Sequence, residues 1–559
     1  MNALRAKIGR LADRLPLRPV ANALFGLIAF LWLTGGYVYR GQLGGRRVHV
    51  EAAQLDAWVV AFLIVLAVWR GCGKPLRELG CIRVLTALWV WTVRKGPPFL
   101  YAFIAGSGLL LAGVSLLRHL SFHTGYDLSI FSQAYWNTVH GDFLFSSIKG
   151  GMVLWGDHIN PIVLGLLPLY WIWPSPEVLL IVQGFALAAG ALPLYFLAQR
   201  ELADRRVEVL IPIAYLLYLP LRSMNRADFH PIALSTPLIL AAFYSLRKDR
   251  YVWFLVFAGL TGMTKETGPI AVGLLGLYCF FANRRYLLGA GIVLASGLWF
   301  FLNLSVFIPA FNPQGASGYL SRYDYLGEGL GEALLTLVTR PGYALANNLT
   351  GKEMMYPVRI LAPVALLPLL TPAGLLTLPY LLINLLEKDT LQVSFFHYHA
   401  ELTAFVFIAA VYGAKRVLRW KGTLPAFGGT HSPRRVKALA GVLMAGVFLF
   451  FGRSDTLHLR RSWPGEQARD VREALARVPA LARVGAQAAI APHLANRKWL
   501  YTFPEIGSAN YVILDPRLDP WPIKKKNFED EVQKVEAKGF KLVFQRNGVR
   551  LYRRPSPSD

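Results

Sequence analysis

Apolar runs close to twenty residues long recur from Asn22 to Phe451. Helix rise is about 1.5 Å per residue and the hydrocarbon core of a bilayer is about 30 Å thick, so runs of this length cross a membrane. Only 16% of the residues are charged, against about 25% in an ordinary soluble domain. The chain therefore reads as an α-helical polytopic membrane protein.

Loop charge sets the expected topology, because Lys and Arg accumulate in cytoplasmic loops. Residues 1–20 carry five basic side chains and one acid, which places the N-terminus in the cytoplasm. The first apolar run, 21–38, is followed by no small-residue cleavage site and reads as a retained anchor. A second span is expected at 55–69, a short interfacial helix at 82–93 and a third span at 98–117. The proline-bracketed piece 161–173 is too short to cross and suits a re-entrant or membrane-surface helix. Further spans are expected at 177–198, 207–221, 232–246, 251–264, 268–282 and 286–308, with two more in the proline-broken stretch 357–386. Those at 402–414 and 438–451 bring the total to about 13. Between the ninth span and 357 a long outer loop is expected. The odd count sends the C-terminus outward, and the protein is expected in the cytoplasmic (inner) membrane.

From 452 the pattern changes to alternating strand and helix signals. Helices are expected at 468–477 and 528–537, and strands at 483–489, 498–502, 510–514, 540–544 and 549–552. Three parts result: an N-terminal extension 1–97 with two spans, a membrane module 98–451, and a small C-terminal α/β extracytoplasmic domain 452–559. The net charge of +26 is explained by the basic cytoplasmic loops. No basic domain or recognition motif accompanies it, which excludes a nucleic-acid partner. Cys72, Cys81 and Cys279 form no C-x-x-C, so neither a disulfide framework nor a zinc ribbon is indicated.

This topology collects the conspicuous polar clusters on one face: Tyr126-Asp127, Asp157-His158, Asp228-Phe229-His230, Lys265-Glu266 and His397-Tyr398-His399. Charge at bilayer depth is costly and usually marks a pathway or a reaction site. Asp127 suits a general base, or equally the N-cap of a helix over 128–138. Asp157, His158, Asp228, His230 and Glu266 have the chemistry to hold a divalent ion (Mg, Mn or Ca), although each Asp also suits ordinary capping and no spacing matches a metal motif. Lys265 beside Glu266 reads either as a self-neutralising pair or as a phosphate contact. The aromatics around His397 read as a ligand-binding patch or as an interfacial belt. Arg322 lies in a polar-aromatic run, Arg322-Tyr323-Asp324-Tyr325, of the kind that contacts sugars. Nucleotide loops and serine-nucleophile elbows are absent, so no nucleotide cofactor is expected.

The run Gly125-Tyr126-Asp127-Leu128-Ser129-Ile130-Phe131-Ser132-Gln133 resembles the opening signature of a family of predicted prokaryotic membrane proteins of unknown function. Gly156-Asp157-His158, Asp228-Phe229-His230-Pro231, Thr264-Lys265-Glu266 and His397-Tyr398-His399 match its later motifs in order. That family is similar to the GT-C glycosyltransferases, which include protein O-mannosyltransferases and aminoarabinose transferases. The resemblance implies a GT-C-like helical module, a polyprenyl-phosphate-linked sugar as donor, and transfer at the outer face to a glycan, lipid or protein acceptor. It puts Asp127 at the position of the catalytic acid, where GT-C enzymes often carry an acidic pair; here Leu128 follows. Lys265, with Arg226 or Arg322, would hold the departing phosphate. Tyr126, Asp157, His158, Asp228, His230, Glu266, His397, Tyr398 and His399 would bind substrate. The alternatives are a lipid or polysaccharide transporter, with polar groups at mid-membrane, and a non-catalytic envelope scaffold.

Overall fold

The structure is a computed structural model, and it describes residues 16–34, 37–43, 46–52, scattered positions between 61 and 94, 96–202, 204–313, 320–346, 351–387, 396–419 and 462–555. The expected span at 438–451 lies outside these residues, and the second span and the interfacial helix lie largely outside them. The described residues hold four helices long and apolar enough to cross a membrane: Pro97–Leu120, Pro176–Glu201, Arg205–Arg226 and Tyr286–Phe311. Six shorter apolar helices accompany them. The helix Leu17–Thr34 accounts for the first expected span. An antiparallel hairpin, Tyr37–Leu43 with Arg46–Ala52, follows it and was not expected.

Helix Ala400–Arg419 is the axis of the bundle. Every residue from Ala400 to Val411 is buried, as expected of a helix enclosed by others, and Glu401 and Thr403 are the polar side chains among them. Pro97–Leu120 lies along Pro176–Ala189, and Gly184 makes their approach possible: a Cβ there would fall 2.7 Å from the Ala112 backbone nitrogen. On the outer flank Val252, Leu287 and Leu294 are exposed, the composition of a lipid-facing surface.

At one end of the bundle three distant basic turns converge. Glu201 accepts hydrogen bonds from Arg247 (2.8 Å) and from Lys415, and Arg247 also reaches Asn283 at 3.5 Å. The helices between these residues therefore alternate in direction as the charge pattern required. The polar motifs gather at the opposite end.

Three expectations need correction. The stretch 357–386 does not form two spans. After Gly351–Leu361 it breaks into 3₁₀ turns at Ala362–Val364, Leu367–Leu370 and Pro372–Thr377, then helix Leu378–Leu385, because its prolines remove backbone donors. The expected loop before 357 contains helices Leu330–Thr339 and Pro341–Ala346. Asp127 is not an N-cap: Gly125 holds that position, the helix runs Tyr126–Val139, and Asp127 lies in its first turn. The piece 161–173 is a 3₁₀ turn, Pro161–Leu166, followed by helix Leu167–Ile172, whose Trp171 and Ile172 are exposed while Tyr170 is buried.

The C-terminal part forms a five-stranded sheet in the order Leu500–Thr502, Val484–Ala486, Tyr511–Leu514, Val549–Arg553, Lys541–Arg546. The first three strands are parallel and the last two antiparallel. Helices Glu466–Leu475 and Phe528–Ala537 pack on it, near the expected positions. This part shares a hydrophobic core with helix Tyr126–Val139: Leu128, Ile130 and Ala134 pack in one cluster with Val484, Leu500 and Leu551. Gln133, fully buried, donates to the carbonyls of Arg497 and Lys498 and to Ser147 Oγ.

A second clamp fixes the start of the same helix. Gln183 accepts the His230 backbone N–H at 2.8 Å and donates to the Asp228 carbonyl at 2.7 Å. Asp228, at φ 63, then accepts the Gly125 backbone N–H at 2.8 Å. Asp tolerates this left-handed conformation better than most residues.

Two outcomes follow. Glu201→Ala leaves Arg247 and Lys415 without their shared carboxylate and should cost about 3 kcal/mol, measured by denaturant unfolding in detergent; adding Lys415→Ala should recover part of the loss. Burial and the nearby Asp127 charge raise the Asp228 carboxyl to about 6. Between the ordinary carboxylate value near 4 and that value, the unfolded chain ionises while the folded chain keeps its proton, so stability falls as pH rises. Asn keeps the acceptor oxygen without the charge. The unfolding free energy of Asp228→Asn should therefore gain on that of the wild type from pH 4 to 7, by an amount on the order of 3 kcal/mol at most; a constant difference would refute the assignment.

Candidate active site

A cavity of about 340 Å³ opens at the polar end of the bundle, within the range of small-ligand sites. All five motifs supply its walls, four of them through Tyr126 and Asp127, Asp157 and His158, His230, and His397 with Tyr398. The fifth supplies Lys265, and the segment Leu320–Leu326 supplies Arg322.

The first turn of helix Tyr126–Val139 aims Asp127 into this space, where its side chain is 45% exposed. Its Oδ2 lies 3.3 Å from His230 Nε2. The His230 ring stacks on His397 at 3.6 Å between centroids and 20° between planes. Neither ring's Nδ1 has a hydrogen-bond partner among the described residues. Burial pushes the Asp127 carboxyl up, but the hydrogen bond and charge of His230, aided by Lys149 and His158, outweigh it and hold the group below its ordinary value. At neutral pH Asp127 is a carboxylate with an open approach.

The opposite wall is a chain of ion pairs. Lys149 Nζ meets Asp157 Oδ2 at 2.9 Å, Asp157 lies 3.9 Å from His158 Nε2, and His158 Nδ1 meets Glu266 Oε1 at 3.0 Å. Burial acts against both charges of the first pair. Mutual attraction, with His158 helping, still leaves Asp157 below and Lys149 above their ordinary values. Lys265, nearly buried, sits 3.9 Å from Glu266 and 5.6 Å from the centre of the Tyr398 ring. Arg322 lies 5.4 Å from that ring and pairs with Glu387 at 2.7 Å. Three cations and two carboxylates, Asp127 and the Lys149-paired Asp157, thus border the cavity.

Several expected residues do other work. Asp228 is the tether to Gly125 and does not line the cavity. His399 is fully buried and meets Tyr356 Oη at 3.0 Å; its neighbour Asn384 reaches the Tyr398 carbonyl. Arg226 closes helix Leu219–Arg226 outside the cavity wall. Glu266 is 1% exposed, bonded to His158, and its other oxygen lacks a partner among the described residues. Among the described residues no group of three His, Cys, Asp or Glu side chains is placed to hold a metal ion.

Lys149 escaped the sequence reading, and Asn160 and Thr264, which also line the cavity, stood beside the motif residues without an assigned role. The available signal for Lys149 was a lone cation before Gly150-Gly151, between two motifs. Gln183, buried in an apolar helix, gave a weaker one.

A second cavity, of about 530 Å³, is almost wholly apolar. Ile270, Phe300, Leu304, Leu334, Leu337 and Leu382 face into it. Sequence neighbours divide between the two spaces: Lys265 and Arg322 line the polar one, Glu266 and Tyr323 the apolar one.

Among solved structures, the chain is similar to ArnT from Cupriavidus metallidurans bound to undecaprenyl phosphate, at 12% identity and a TM-score of 0.49, over 82% of this chain and 98% of that one. The apo form of the same protein gives 12% identity and a TM-score of 0.47, over 81% and 98%. No curated protein matches the sequence. The family model described as predicted membrane protein (DUF2079) matches residues 118–551, which include all five motifs, the cavity they line and the C-terminal sheet. The chain belongs to that family.

Proposed function

We propose that the protein is a membrane glycosyltransferase that moves a sugar from a polyprenyl-phosphate donor to an acceptor hydroxyl, with Asp127 as general base. The observation that carries this reading is that Lys265 and Arg322 line a polar cavity while their chain neighbours Glu266 and Tyr323 line an apolar one. A ligand with an anionic head and a long apolar tail matches both: phosphate beside Lys149, Lys265 and Arg322, and isoprenoid among Ile270, Phe300, Leu304 and Leu337. The apolar lining is the chemistry that favours burial of such a tail.

In this reading the acceptor hydroxyl gives its proton to Asp127 as its oxygen bonds to the anomeric carbon. The bond from that carbon to the phosphate oxygen breaks, and the electron pair leaves with the phosphate. Attack from the face opposite the phosphate inverts the anomeric centre. The three cations stabilise the charge that develops on the leaving group, an effect that is strong in a site shielded from water. His230 orients Asp127, and the stack with His397 holds the imidazole in place. The extracytoplasmic placement of this end belongs to the same proposal and follows from the basic turns at the other end.

The test is transfer from a purified polyprenyl-phosphate-linked sugar. Asp127→Asn should lower turnover by about 10² to 10⁴-fold, the usual span for a general base, while donor binding persists; unchanged turnover refutes the base. In the wild type, activity should hold through neutral pH and fall only in acid below about pH 4, because the carboxylate is held below that ordinary value. Lys265→Met should lower turnover by about 10²-fold, as loss of a charge-stabilising group does elsewhere. Sugar flux across liposomes without covalent product would instead favour a transporter.

A further inference from the structure

A third cavity, of about 440 Å³, lies between the loop after helix Tyr126–Val139 and the C-terminal sheet. Its walls are aromatic: Trp499, Tyr501 and Trp521 from the C-terminal part, with Tyr126 opposite. Tyr126 and Trp521 approach to 5.1 Å between ring centres. Tyr501 is fixed by a hydrogen bond to Ser508 at 2.7 Å and by Gly507, at φ +44, against its ring; a Cβ there would come within 2.4 Å of the ring. Trp499 meets Phe145 edge-on at 5.6 Å. The rings are therefore held before any ligand arrives.

The rest of the wall suits hydroxyl groups. Gly150 and Gly151 both adopt positive φ and present bare backbone to the cavity. Among the described lining residues Glu505 alone is charged, and it is exposed. A carboxylate accepts hydrogen bonds from hydroxyls and repels anions. An interfacial belt would turn its rings toward lipid, whereas these rings close on a cavity whose wall also holds Ser147, Thr502 and Glu505.

We infer that this cleft binds a neutral oligosaccharide, with sugar faces against Trp499, Tyr501 and Trp521 and hydroxyls on Glu505. Flat, rigid rings with an apolar face supply large contact area at small entropic cost. Tyr126 lines both this cleft and the cavity of Asp127, so the end of a bound chain emerges beside the carboxylate. That the oligosaccharide is the acceptor rests on the glycosyltransferase reading; that it binds does not.

The experiment uses the full chain in nanodiscs, without donor, titrated calorimetrically with maltotetraose and with cellotetraose. At least one should bind saturably, and affinity should fall tenfold or more in Trp521→Ala and in Glu505→Gln. Both side chains are exposed, and thermal midpoints close to wild type would show that the fold is kept. No saturable heat with either sugar, or unchanged affinity in both variants, overturns the cleft. Donor turnover is measured in separate samples. Binding without turnover keeps the cleft and sinks the transferase reading; turnover without binding does the reverse.

Discussion

The Gly125 backbone N–H bonded to Asp228 at 2.8 Å decides where the helix of Asp127 begins, and the site depends on that register. A shift of one residue turns a helical side chain by about 100°, which would aim Asp127 away from His230. The bond joins the first motif to the third across 103 residues, and Gln183 locks the third from a separate helix. Midway along the helix, Gln133 locks it to the loop that leads into strand Leu500–Thr502. The helix that carries Asp127 is thus gripped at its start and at its middle by hydrogen bonds, each costly to leave unmade.

Charge placement at the membrane edge obeys a related constraint. Buried charges persist when paired, and here Asp157 has Lys149, Glu266 has His158 and Glu387 has Arg322. Asp127 is partnered by an imidazole and faces open space. Lys149, Lys265 and Arg322 thus share one cavity wall with Asp127. The apolar cavity behind Lys265 and Glu266 places this polar surface against a greasy one, the combination that a phosphorylated lipid requires.

What was legible from sequence is what costs energy in an apolar chain. Asp127, His158, His230, Lys265 and Tyr398 stand out because acids, imidazoles and cations are conspicuous there, and the loop charges sorted them to one end. The roles of Asp228, Glu266 and His399 were not legible, because bonding partners lie far away in the chain and pattern does not reveal them. Lys149, Trp499 and Trp521 sit in polar surroundings where such residues are unremarkable. The misreading of 357–386 has a backbone cause: its hydropathy is that of a span, but its prolines force 3₁₀ turns. The strands near 484, 500, 511 and 549 were legible because alternation and turn residues are local signals.

The central claim is that the polar and apolar cavities form one site for a single amphipathic ligand. A cryo-electron microscopy structure of the protein with a polyprenyl phosphate tests it directly. The account predicts phosphate density within hydrogen-bonding reach of Lys149, Lys265 or Arg322, with the isoprenoid running past Glu266 among Phe300, Leu304 and Leu337. A lipid phosphate bound elsewhere, with both cavities empty, would contradict it.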